Sequence, residues 1–207
     1  MIIVHHLENS RSQRVLWMLE ELGLPYELHR YERNVKTMLA PPELRRVHPL
    51  GKAPVIEDDG RVVAETGAIV EYLVGKADGK LGPPPEREAG LRYRFFLHYA
   101  EGSVMPPLLV KLVLSRVPVM GRIATRRIQP MIDVHLDFIE GELAARPWFA
   151  GDRLTAADIM MSFPLEAARA RGGLDESRPA TIAWLAKVHA RPAYQAALGK
   201  GGSYAYA

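Results

Sequence analysis

The sequence predicts a small α/β domain followed by an all-helical domain. Three observations indicate this fold class: strand-like runs alternate with helical patterns up to about residue 80, only helical patterns follow, and a proline-rich segment at 82–85 separates the two parts. Because proline cannot continue a helix and stiffens the chain, we expect residues 1–80 and 86–207 to form two domains joined by a linker at 81–85.

The first domain is predicted to begin with a strand, a helix and a second strand. Residues 2–7 form a continuous apolar and histidine run of buried-strand length. Apolar residues then recur at helical spacing as far as Leu22, and Gly23 is a usual residue at the end of a helix. Residues 26–31 alternate in polarity like a second strand.

A hairpin and a third helix are predicted to complete this domain. The region between residues 32 and 50 is polar and interrupted by prolines, so we expect one short helix with irregular flanks. Residues 55–57 and 61–64 are β-prone, and the Asp-Gly pair between them is a strong hairpin signal. With a helix from about residue 66 to 75, the elements predict a small mixed sheet with helices packed against it.

The second domain is predicted to contain four helices, at about residues 86–115, 122–145, 155–170 and 179–198. We expect an irregularity in the first of them at Met105-Pro106-Pro107, because proline removes a helix donor and clashes with the preceding turn. Thr155 and Asp158 have the spacing of a capping box, in which each side chain binds a backbone N–H near the helix start. We interpret that motif as structural.

Composition and charge exclude several classes of function. The 207 residues are 48% hydrophobic and 25% charged, as in a globular protein, and the net charge of +3 does not by itself indicate a nucleic-acid partner. The absence of cysteine excludes disulfides, zinc–thiolate sites and a cysteine nucleophile. No apolar run reaches the roughly 18 residues of a membrane span, and the first residues lack the basic start of a signal peptide. We therefore expect a cytoplasmic protein without a membrane or nucleic-acid partner.

The histidines do not indicate a metal site. His5 and His6 are adjacent on a predicted strand, so they face opposite sides of the sheet and cannot chelate one metal. The other histidines lack the spacing of metal ligands. We therefore expect no metal.

Three segments of the first domain carry groups that could bind a small anionic peptide. Ser10 and Ser12 lie at the start of the first helix, where a hydroxyl can cap the helix or donate to an anion such as a thiolate. A cis Ala53–Pro54 bond would turn the N–H and C=O of Ala53 outward, to pair with an extended peptide; a trans bond would leave a plain turn. Glu65-Thr66 opens the third helix, where Thr66 would be the N-cap and free N–H groups could bind a carboxylate.

Taken together, these segments resemble the glutathione S-transferases. The resemblance rests on Ser10-Arg11-Ser12-Gln13-Arg14, Lys52-Ala53-Pro54, Glu65-Thr66 and residues 149–159, in order and at the spacing of the family, and residues 190–194 resemble its C-terminal helix. The resemblance implies a thioredoxin-like, glutathione-binding N-terminal domain, an all-helical, electrophile-binding C-terminal domain and usually a homodimer. It further implies glutathione as co-substrate, a hydrophobic electrophile as second substrate and a role in detoxification.

The first loop resembles that of the serine-type bacterial and fungal enzymes of this family. Ser10 stands four residues before Arg14, the spacing at which those enzymes place the hydroxyl that holds the glutathione sulfur, and Ser12 is the alternative. The loop has no tyrosine and the chain has no cysteine, so we do not expect the tyrosine-type or cysteine-type mechanisms.

The resemblance also implies roles for the other two segments. Ala53, before the cis-proline of the family at Pro54, would pair its backbone with the cysteinyl unit of glutathione. Glu65 and Thr66 would bind the γ-glutamyl end, and Lys52 would help at the glycyl carboxylate. Two alternatives stay open on the same fold. One is a glutathione-dependent peroxidase, dehalogenase or isomerase, and the other is a non-catalytic binding module.

A serine hydroxyl is sufficient for the thiol ionisation that this chemistry needs. A free thiol has a pKa of about 8.5 and is only a few per cent ionised at neutral pH. Lowering the pKa by roughly two units takes about 2.7 kcal/mol. A hydrogen bond to the thiolate supplies about 1.5–3 kcal/mol, and a helix N-terminus about 0.3–1 kcal/mol more. For the electrophile, the candidate apolar surface is Tyr93, Phe96 and Tyr99.

Overall fold

A four-stranded mixed sheet organises the N-terminal part of the computed structural model, which describes residues 1–118 and 120–206. Strand β1 (Ile2–Leu7) lies between β2 (Tyr26–Tyr31), its parallel neighbour, and β3 (Val55–Asp58), which is antiparallel to it. Strand β4 (Arg61–Ala64) pairs antiparallel with β3. The resulting order β2-β1-β3-β4 confirms the predicted small mixed sheet.

Two helices connect these strands, α1 (Ser12–Leu22) and α2 (Leu44–Val47), and a third, α3 (Thr66–Lys76), follows β4. Helix α1 ends as predicted at Gly23, whose φ of 70° lies in the left-handed region that glycine adopts without steric cost. Asp59 and Gly60 form the predicted hairpin turn, and both have the positive φ that a two-residue turn of this kind requires. The buried faces of α1 and α3 pack against each other and against the sheet.

Helices make up most of the second unit: α4 (Arg87–Tyr99), α5 (Met105–Ser115), α6 (Met120–Ala145), α7 (Ala156–Ala167) and α8 (Pro179–His189). A π-helical segment, Ala100–Val104, joins α4 to α5 directly before Met105-Pro106-Pro107. The predicted irregularity takes this form because proline cannot donate to the carbonyl four residues earlier. No helix in residues 1–118 and 120–206 is long and apolar enough to cross a lipid bilayer.

The capping box at the start of α7 is present and closed. The Asp158 carboxylate accepts the N–H of Phe149 at 3.0 Å and both the N–H and the hydroxyl of Thr155 at 2.9 Å. Thr155 and Asp158 are fully buried. Burial raises the pKa of Asp158 to about 6, while its three donors act in the opposite direction. The structural interpretation of this motif is confirmed.

The last helix differs from the sequence prediction. Instead of one helix over 179–198, the chain forms α8 and then α9 (Pro192–Gly201). Arg191 is extended, with φ −70° and ψ 134°, because the residue before a proline avoids the helical region. Residues 1–82 and 190–205 form one compact unit and residues 83–189 the other. The structure thus groups the final segment, here called the C-terminal segment (190–205), with the first unit rather than with 86–207.

The C-terminal segment is held against α1 by side-chain contacts that are far apart in sequence. Helix α9 packs on α1, with the rings of Tyr194 and Trp17 edge to face at 5.5 Å. Arg191 donates to the carboxylate of Glu21 at 2.8 Å. Since local sequence patterns describe elements and not their long-range partners, this packing could not be predicted from helix periodicity.

Candidate functional site

Three chain segments meet at one edge of the sheet. Strand β1 ends at this edge and continues into the β1–α1 loop (residues 8–11), β3 begins there, and β4 ends there. The register establishes this arrangement, because His5 pairs with Val55 and Val55 pairs with Ala64. The structure therefore brings together the three segments singled out by sequence analysis, residues 10–12, 53–54 and 65–66.

The two serines of the first segment have different surroundings. Ser12 is fully buried, and its Oγ contacts the backbone N–H and C=O of Leu7 at 3.2 and 3.1 Å and Nδ1 of His6 at 2.9 Å. Ser10 retains 5% exposure, and its Oγ accepts the N–H of Ser12 at 3.2 Å and lies 2.7 Å from the Ser12 Oγ. Because protein groups surround the Ser12 hydroxyl, Ser10 is the hydroxyl better placed for a ligand at the start of α1.

The β1–α1 loop is held by groups that sequence analysis missed. The Arg33 guanidinium donates to the backbone carbonyls of Glu8, Asn9 and Met38 at 3.1, 3.3 and 2.9 Å. Asn9 has a positive φ of 48°, and its side-chain oxygen accepts the N–H of Ala205 at 2.7 Å. Neither contact has a sequence signature, because backbone carbonyls and terminal amides are common to every residue type.

The second segment presents an unused stretch of backbone. The Ala53–Pro54 peptide bond is cis, which decides between the two conformations left open by the sequence. Pro54 is buried, Ala53 is half-buried and Lys52 is exposed. Within residues 1–118 and 120–206, neither the N–H nor the C=O of Ala53 takes part in a hydrogen bond. An extended peptide could therefore pair with Ala53 as an added strand does.

The third segment is a helix start with a strained residue. Glu65, and not Thr66 as expected, occupies the N-cap position of α3, with φ 70° and ψ 125°. A side chain in such a conformation costs about 1–3 kcal/mol, and residues of this kind cluster at functional sites. The first bond of the α3 ladder runs from the N–H of Ile69 to the C=O of Glu65, so the amides of 66–68 can bind an anion.

Helix α1 is linked to the start of α3 through Arg14. The buried Arg14 guanidinium donates to the Thr66 hydroxyl at 3.5 Å. This contact joins the helix that follows the first segment to the helix that follows the third. Arg14 thereby links the two helix starts at the sheet edge.

The aromatic residues proposed as an electrophile surface do not form one. Tyr93 and Phe96 belong to the core of the second unit, where Phe96 packs 4.6 Å from the Phe149 ring. Only Tyr99 is half-exposed, and its hydroxyl lies 2.6 Å from Nδ1 of His135. Burial raises the pKa of Tyr99 to about 12, so its hydroxyl stays protonated at neutral pH. The helical spacing of these aromatic residues therefore places Tyr93 and Phe96 in the core.

A cavity of about 420 Å³ lies elsewhere in the first unit. It opens beside the β2–α2 connection and is lined by residues between Glu32 and Arg45. None of the candidate residues at the sheet edge lines it. Arg33, which lines it, also holds the β1–α1 loop, but no residue of the three segments contributes to its walls, so we do not assign the chemistry to it.

The histidines of β1 have different partners. His5 lies 2.8 Å from the Glu57 carboxylate and 2.9 Å from the Tyr31 hydroxyl, whereas His6 contacts Ser12. Among the described residues, no group of three or more His, Cys, Asp or Glu side chains could hold a metal ion.

Comparison with known proteins identifies the family. The model of the glutathione S-transferase N-terminal domain matches residues 10–75, and that of the glutathione S-transferase C-terminal domain matches residues 124–187. The chain belongs to the glutathione S-transferase family. Membership confirms the predicted fold, a thioredoxin-like N-terminal domain and an all-helical C-terminal domain, and the three segments at the sheet edge lie in the first of these.

Named members of the family are similar to this chain over most of its length. Glutathione S-transferase 3 of Schizosaccharomyces pombe is 38% identical, covering 97% of this chain and 88% of that protein. Glutathione S-transferase 1 of Saccharomyces cerevisiae is 33% identical, and the match covers 96% of this chain and 94% of that protein. The crystal structure of a glutathione S-transferase from Actinobacillus pleuropneumoniae has a TM-score of 0.87 at 32% identity, covering 99% of this chain and 94% of that one. These similarities confirm the expected enzyme class.

Two more distant glutathione S-transferase relatives bear on the ligand and on the range of functions. A family member from Pseudomonas fluorescens, 28% identical with a TM-score of 0.79 and covering 95% and 92% of the two chains, was crystallised with two glutathione molecules bound. FtsZ-localized protein A of Caulobacter vibrioides is 27% identical over 93% of this chain and 88% of that protein. Proteins similar to this chain therefore include one with glutathione bound and one named for another role.

Proposed function

We propose that the chain is a serine-type glutathione transferase that binds glutathione at this sheet edge and conjugates it to hydrophobic electrophiles. The observation that carries the proposal is the position of Ser10, whose hydroxyl lies at the start of α1 on the same edge as Ala53 and the α3 amides. A single hydroxyl at that place can donate to a bound sulfur.

Ser10 is proposed as the catalytic residue because its oxygen is fixed and its proton can turn to a ligand. The Ser12 N–H donates to the Ser10 Oγ, so the first amide of α1 orients the oxygen. The hydroxyl proton then donates to the thiolate, which would stabilise the ionised sulfur by about 1.5–3 kcal/mol. The N-terminus of α1 adds a smaller favourable contribution, about 0.3–1 kcal/mol.

The remainder of glutathione is proposed to bind the other two segments. The backbone of Ala53 pairs with the cysteinyl unit, beside Pro54. The α3 amides and the Thr66 hydroxyl bind the γ-glutamyl carboxylate, and the exposed Glu65 carboxylate binds the neighbouring ammonium. Lys52, also exposed, binds the glycyl carboxylate.

The test combines calorimetric titration with kinetics of a Ser10→Ala variant. We expect wild-type protein to bind glutathione and Ser10→Ala to bind it with an affinity changed by less than about twofold. Turnover should fall by about 10- to 100-fold, the equivalent of one hydrogen bond to a charged acceptor. Ser177→Ala, which removes an exposed serine of the second unit, serves as the control and should leave turnover unchanged.

The same experiment separates the alternatives. Absence of glutathione binding would favour a binding module, the second candidate, which the similarity to FtsZ-localized protein A supports. Binding without conjugation, but with peroxidase, dehalogenase or isomerase turnover in a substrate panel, would identify another glutathione-dependent reaction. Unchanged turnover in Ser10→Ala would remove Ser10 from the mechanism and transfer the role to Ser12.

A homodimer is proposed on the basis of exposed apolar residues of the helical unit. Leu91 and Phe95 of α4 and Met131, Val134 and Phe138 of α6 are exposed. The rings of Phe95 and Phe138 lie 5.8 Å apart, so the two helices share one apolar surface. Such a contiguous surface is typical of a protein interface.

Light scattering on the purified protein tests the dimer. We expect the wild-type mass to be that of two chains. Val134→Glu, at a position 68% exposed, should give one chain, because a charge at the centre of an apolar interface is costly to bury. Val113→Glu, on α5 and 58% exposed, is the matched control and should stay dimeric. A monomeric wild type would contradict the proposal.

The cytoplasmic location and the role in detoxification are part of the same proposal. Both follow from the proposed conjugation of glutathione to electrophiles. Fractionation of the source cells, and the sensitivity of a deletion strain to electrophiles, would test them.

A further inference from the structure

Three buried side chains form a continuous line of contacts that ends at the Ser10 hydroxyl. Nδ1 of His6 lies 2.9 Å from the Ser12 Oγ, which lies 2.7 Å from the Ser10 Oγ. His6 is 2% exposed and Ser12 is fully buried, so the line is shielded from solvent until it reaches Ser10. On its other side, the His6 imidazole forms a hydrogen bond with the backbone of Gly201 in the C-terminal segment.

The protonation of His6 fixes the direction of these hydrogen bonds. Burial and the Arg30 charge lower the pKa of His6 to about 4, so the imidazole is neutral at pH 7 and carries one N–H. The bond to Gly201 favours the protonated ring, as expected when the imidazole donates to a carbonyl oxygen. A neutral imidazole with its N–H on the Gly201 side leaves Nδ1 as an acceptor for the Ser12 hydroxyl.

The Ser12 hydroxyl has one proton and two acceptors within reach, Nδ1 of His6 at 2.9 Å and the Leu7 C=O at 3.1 Å. When the proton is on the nearer His6, the Ser12 oxygen acts as an acceptor. It receives the Leu7 N–H and, in the empty site, the hydroxyl proton of Ser10. A bound anion can attract the Ser10 proton by rotation of one hydroxyl, while the Ser12 N–H continues to hold the Ser10 oxygen. The same oxygen position thus serves the empty and the occupied site.

We propose that His6 is a positioning residue for the glutathione transferase reaction: acting through Ser12, it fixes the Ser10 hydroxyl at the place where the sulfur binds. The inference rests on the proposed catalytic role of Ser10. It gives a function to a buried histidine that carries no metal-ligand spacing and whose charged neighbours, Arg30 and Glu8, shift its pKa in opposite directions.

The C-terminal segment supports this line through the backbone of Gly201. A Cβ at Gly201 would lie 2.5 Å from the Gln13 Oε1, a distance that Cβ atoms do not adopt, and 3.1 Å from the Leu16 Cδ1, so both side chains would have to shift. Glycine therefore allows the end of α9 to approach α1 and β1 closely enough to reach His6. The acceptor that sets the His6 tautomer comes from the opposite end of the chain.

Two substitutions of His6 each keep one of its two hydrogen bonds, either the bond to Ser12 or the bond to Gly201. The amide of His6→Asn can occupy the place of Nδ1 and accept from Ser12, whereas the longer His6→Gln side chain places its amide near Nε2 and keeps the Gly201 contact. The readouts are the pKa of glutathione bound to the protein, followed by the ultraviolet absorbance of the thiolate, and the pH profile of kcat. Glutathione affinity is measured by calorimetry, and folding of both variants by circular dichroism.

The two variants should behave differently. We expect His6→Asn to keep kcat within about twofold of the wild type. His6→Gln should raise the pKa of the bound thiol and lower kcat by about three- to tenfold, the range of one neutral hydrogen bond, with affinity and KM unchanged. Ser12→Ala and the double variant His6→Gln/Ser12→Ala should give the same reduction as each other, because both break one line of contacts.

Several outcomes would overturn the proposal. Equal kcat values and thiol pKa values for His6→Asn and His6→Gln would reduce His6 to a packing role, as would additive losses in the double variant. Should a variant not fold, nitrogen-15 spectra of the wild-type His6 ring decide: an unprotonated Nδ1 supports the proposal and a protonated one overturns it. If wild-type protein does not bind glutathione, or Ser10→Ala leaves the thiol pKa unchanged, the proposed function fails first and the positioning role fails with it.

Discussion

Helices α1 and α7 both begin close to hydroxyl-bearing residues, yet the two starts are built differently. At α7, Thr155 and Asp158 satisfy one another and the neighbouring backbone, and both are fully buried. At α1, the N-cap position belongs to Arg11, whose side chain does not cap the helix, and Ser10 retains 5% exposure. A closed helix start stabilises the fold, whereas an open one retains groups for a ligand.

The largest effect on stability is expected from removing the Asp158 carboxylate at the start of α7. Asp158→Ala leaves the N–H of Phe149 and the N–H and hydroxyl of Thr155 buried without an acceptor. Since each such group costs about 1–3 kcal/mol, we expect the free energy of unfolding to fall by about 3–5 kcal/mol. Urea denaturation measures the loss. Asp152→Ala, an exposed residue of the preceding turn, is the control and should change stability by less than about 0.5 kcal/mol.

His6, which lies near the start of α1, should make the free energy of unfolding fall at low pH. His6 has an ordinary pKa of 6.5, which burial and the Arg30 charge lower to about 4 in the folded protein. Between these values the unfolded chain binds a proton that the folded chain does not, so stability is lost as the pH falls from about 7 to 4. The loss amounts to about 3 kcal/mol and should be absent in His6→Gln. Urea denaturation across this pH range measures it.

Asp158, at the start of α7, should give the free energy of unfolding the opposite pH dependence. Burial raises the pKa of Asp158 from 3.8 to about 6, so the folded chain binds the proton more tightly than the unfolded chain does. The resulting stability is present below pH 3.8 and is lost as the pH rises through 6. Asp158→Asn should therefore make stability rise more steeply with pH over this interval, whereas His6→Gln should flatten it. A change in the same direction for both variants would contradict the comparison.

Removing one hydroxyl from each helix start, at Thr155 and at Ser10, should affect stability and turnover differently. Thr155→Ala should lower the free energy of unfolding by about 1–2 kcal/mol, the usual cost of a lost helix cap, with little effect on turnover once folded. Ser10→Ala removes the acceptor of one backbone N–H, that of Ser12, and should cost about 1 kcal/mol of stability, while turnover falls as stated above. Thermal unfolding and conjugation kinetics, measured on both variants, would show whether stability and activity separate in this way.

The comparison also shows what the sequence could predict. The strands, α1 and the Asp59-Gly60 turn follow from local periodicity and turn chemistry, and the structure confirms them. The Thr155–Asp158 box could be predicted because its two partners are three residues apart. The His6–Gly201 contact and the Arg33 clamp could not, because they join residues distant along the chain and use backbone atoms. Local chemistry thus predicts a closed helix start more readily than an open one.

The smallest effects on stability and turnover are expected from the packing of the C-terminal segment near the start of α1. Gly199 and Gly201 lie on α9, but a Cβ at Gly199 would meet nothing within 4 Å, whereas one at Gly201 would meet Gln13 and Leu16. Gly199→Ala should stabilise the protein by about 0.5–1 kcal/mol through helix propensity alone. Gly201→Ala gains the same propensity but must displace the Gln13 amide, so we expect a net loss of about 1 kcal/mol. Because Gly201 itself carries the backbone acceptor of His6, a shift of the end of α9 away from Gln13 would lengthen that contact, and turnover should fall by about two- to threefold in Gly201→Ala only. Equal stability and turnover in the two variants would mean that the close approach of α9 does not contribute to the Ser10 site.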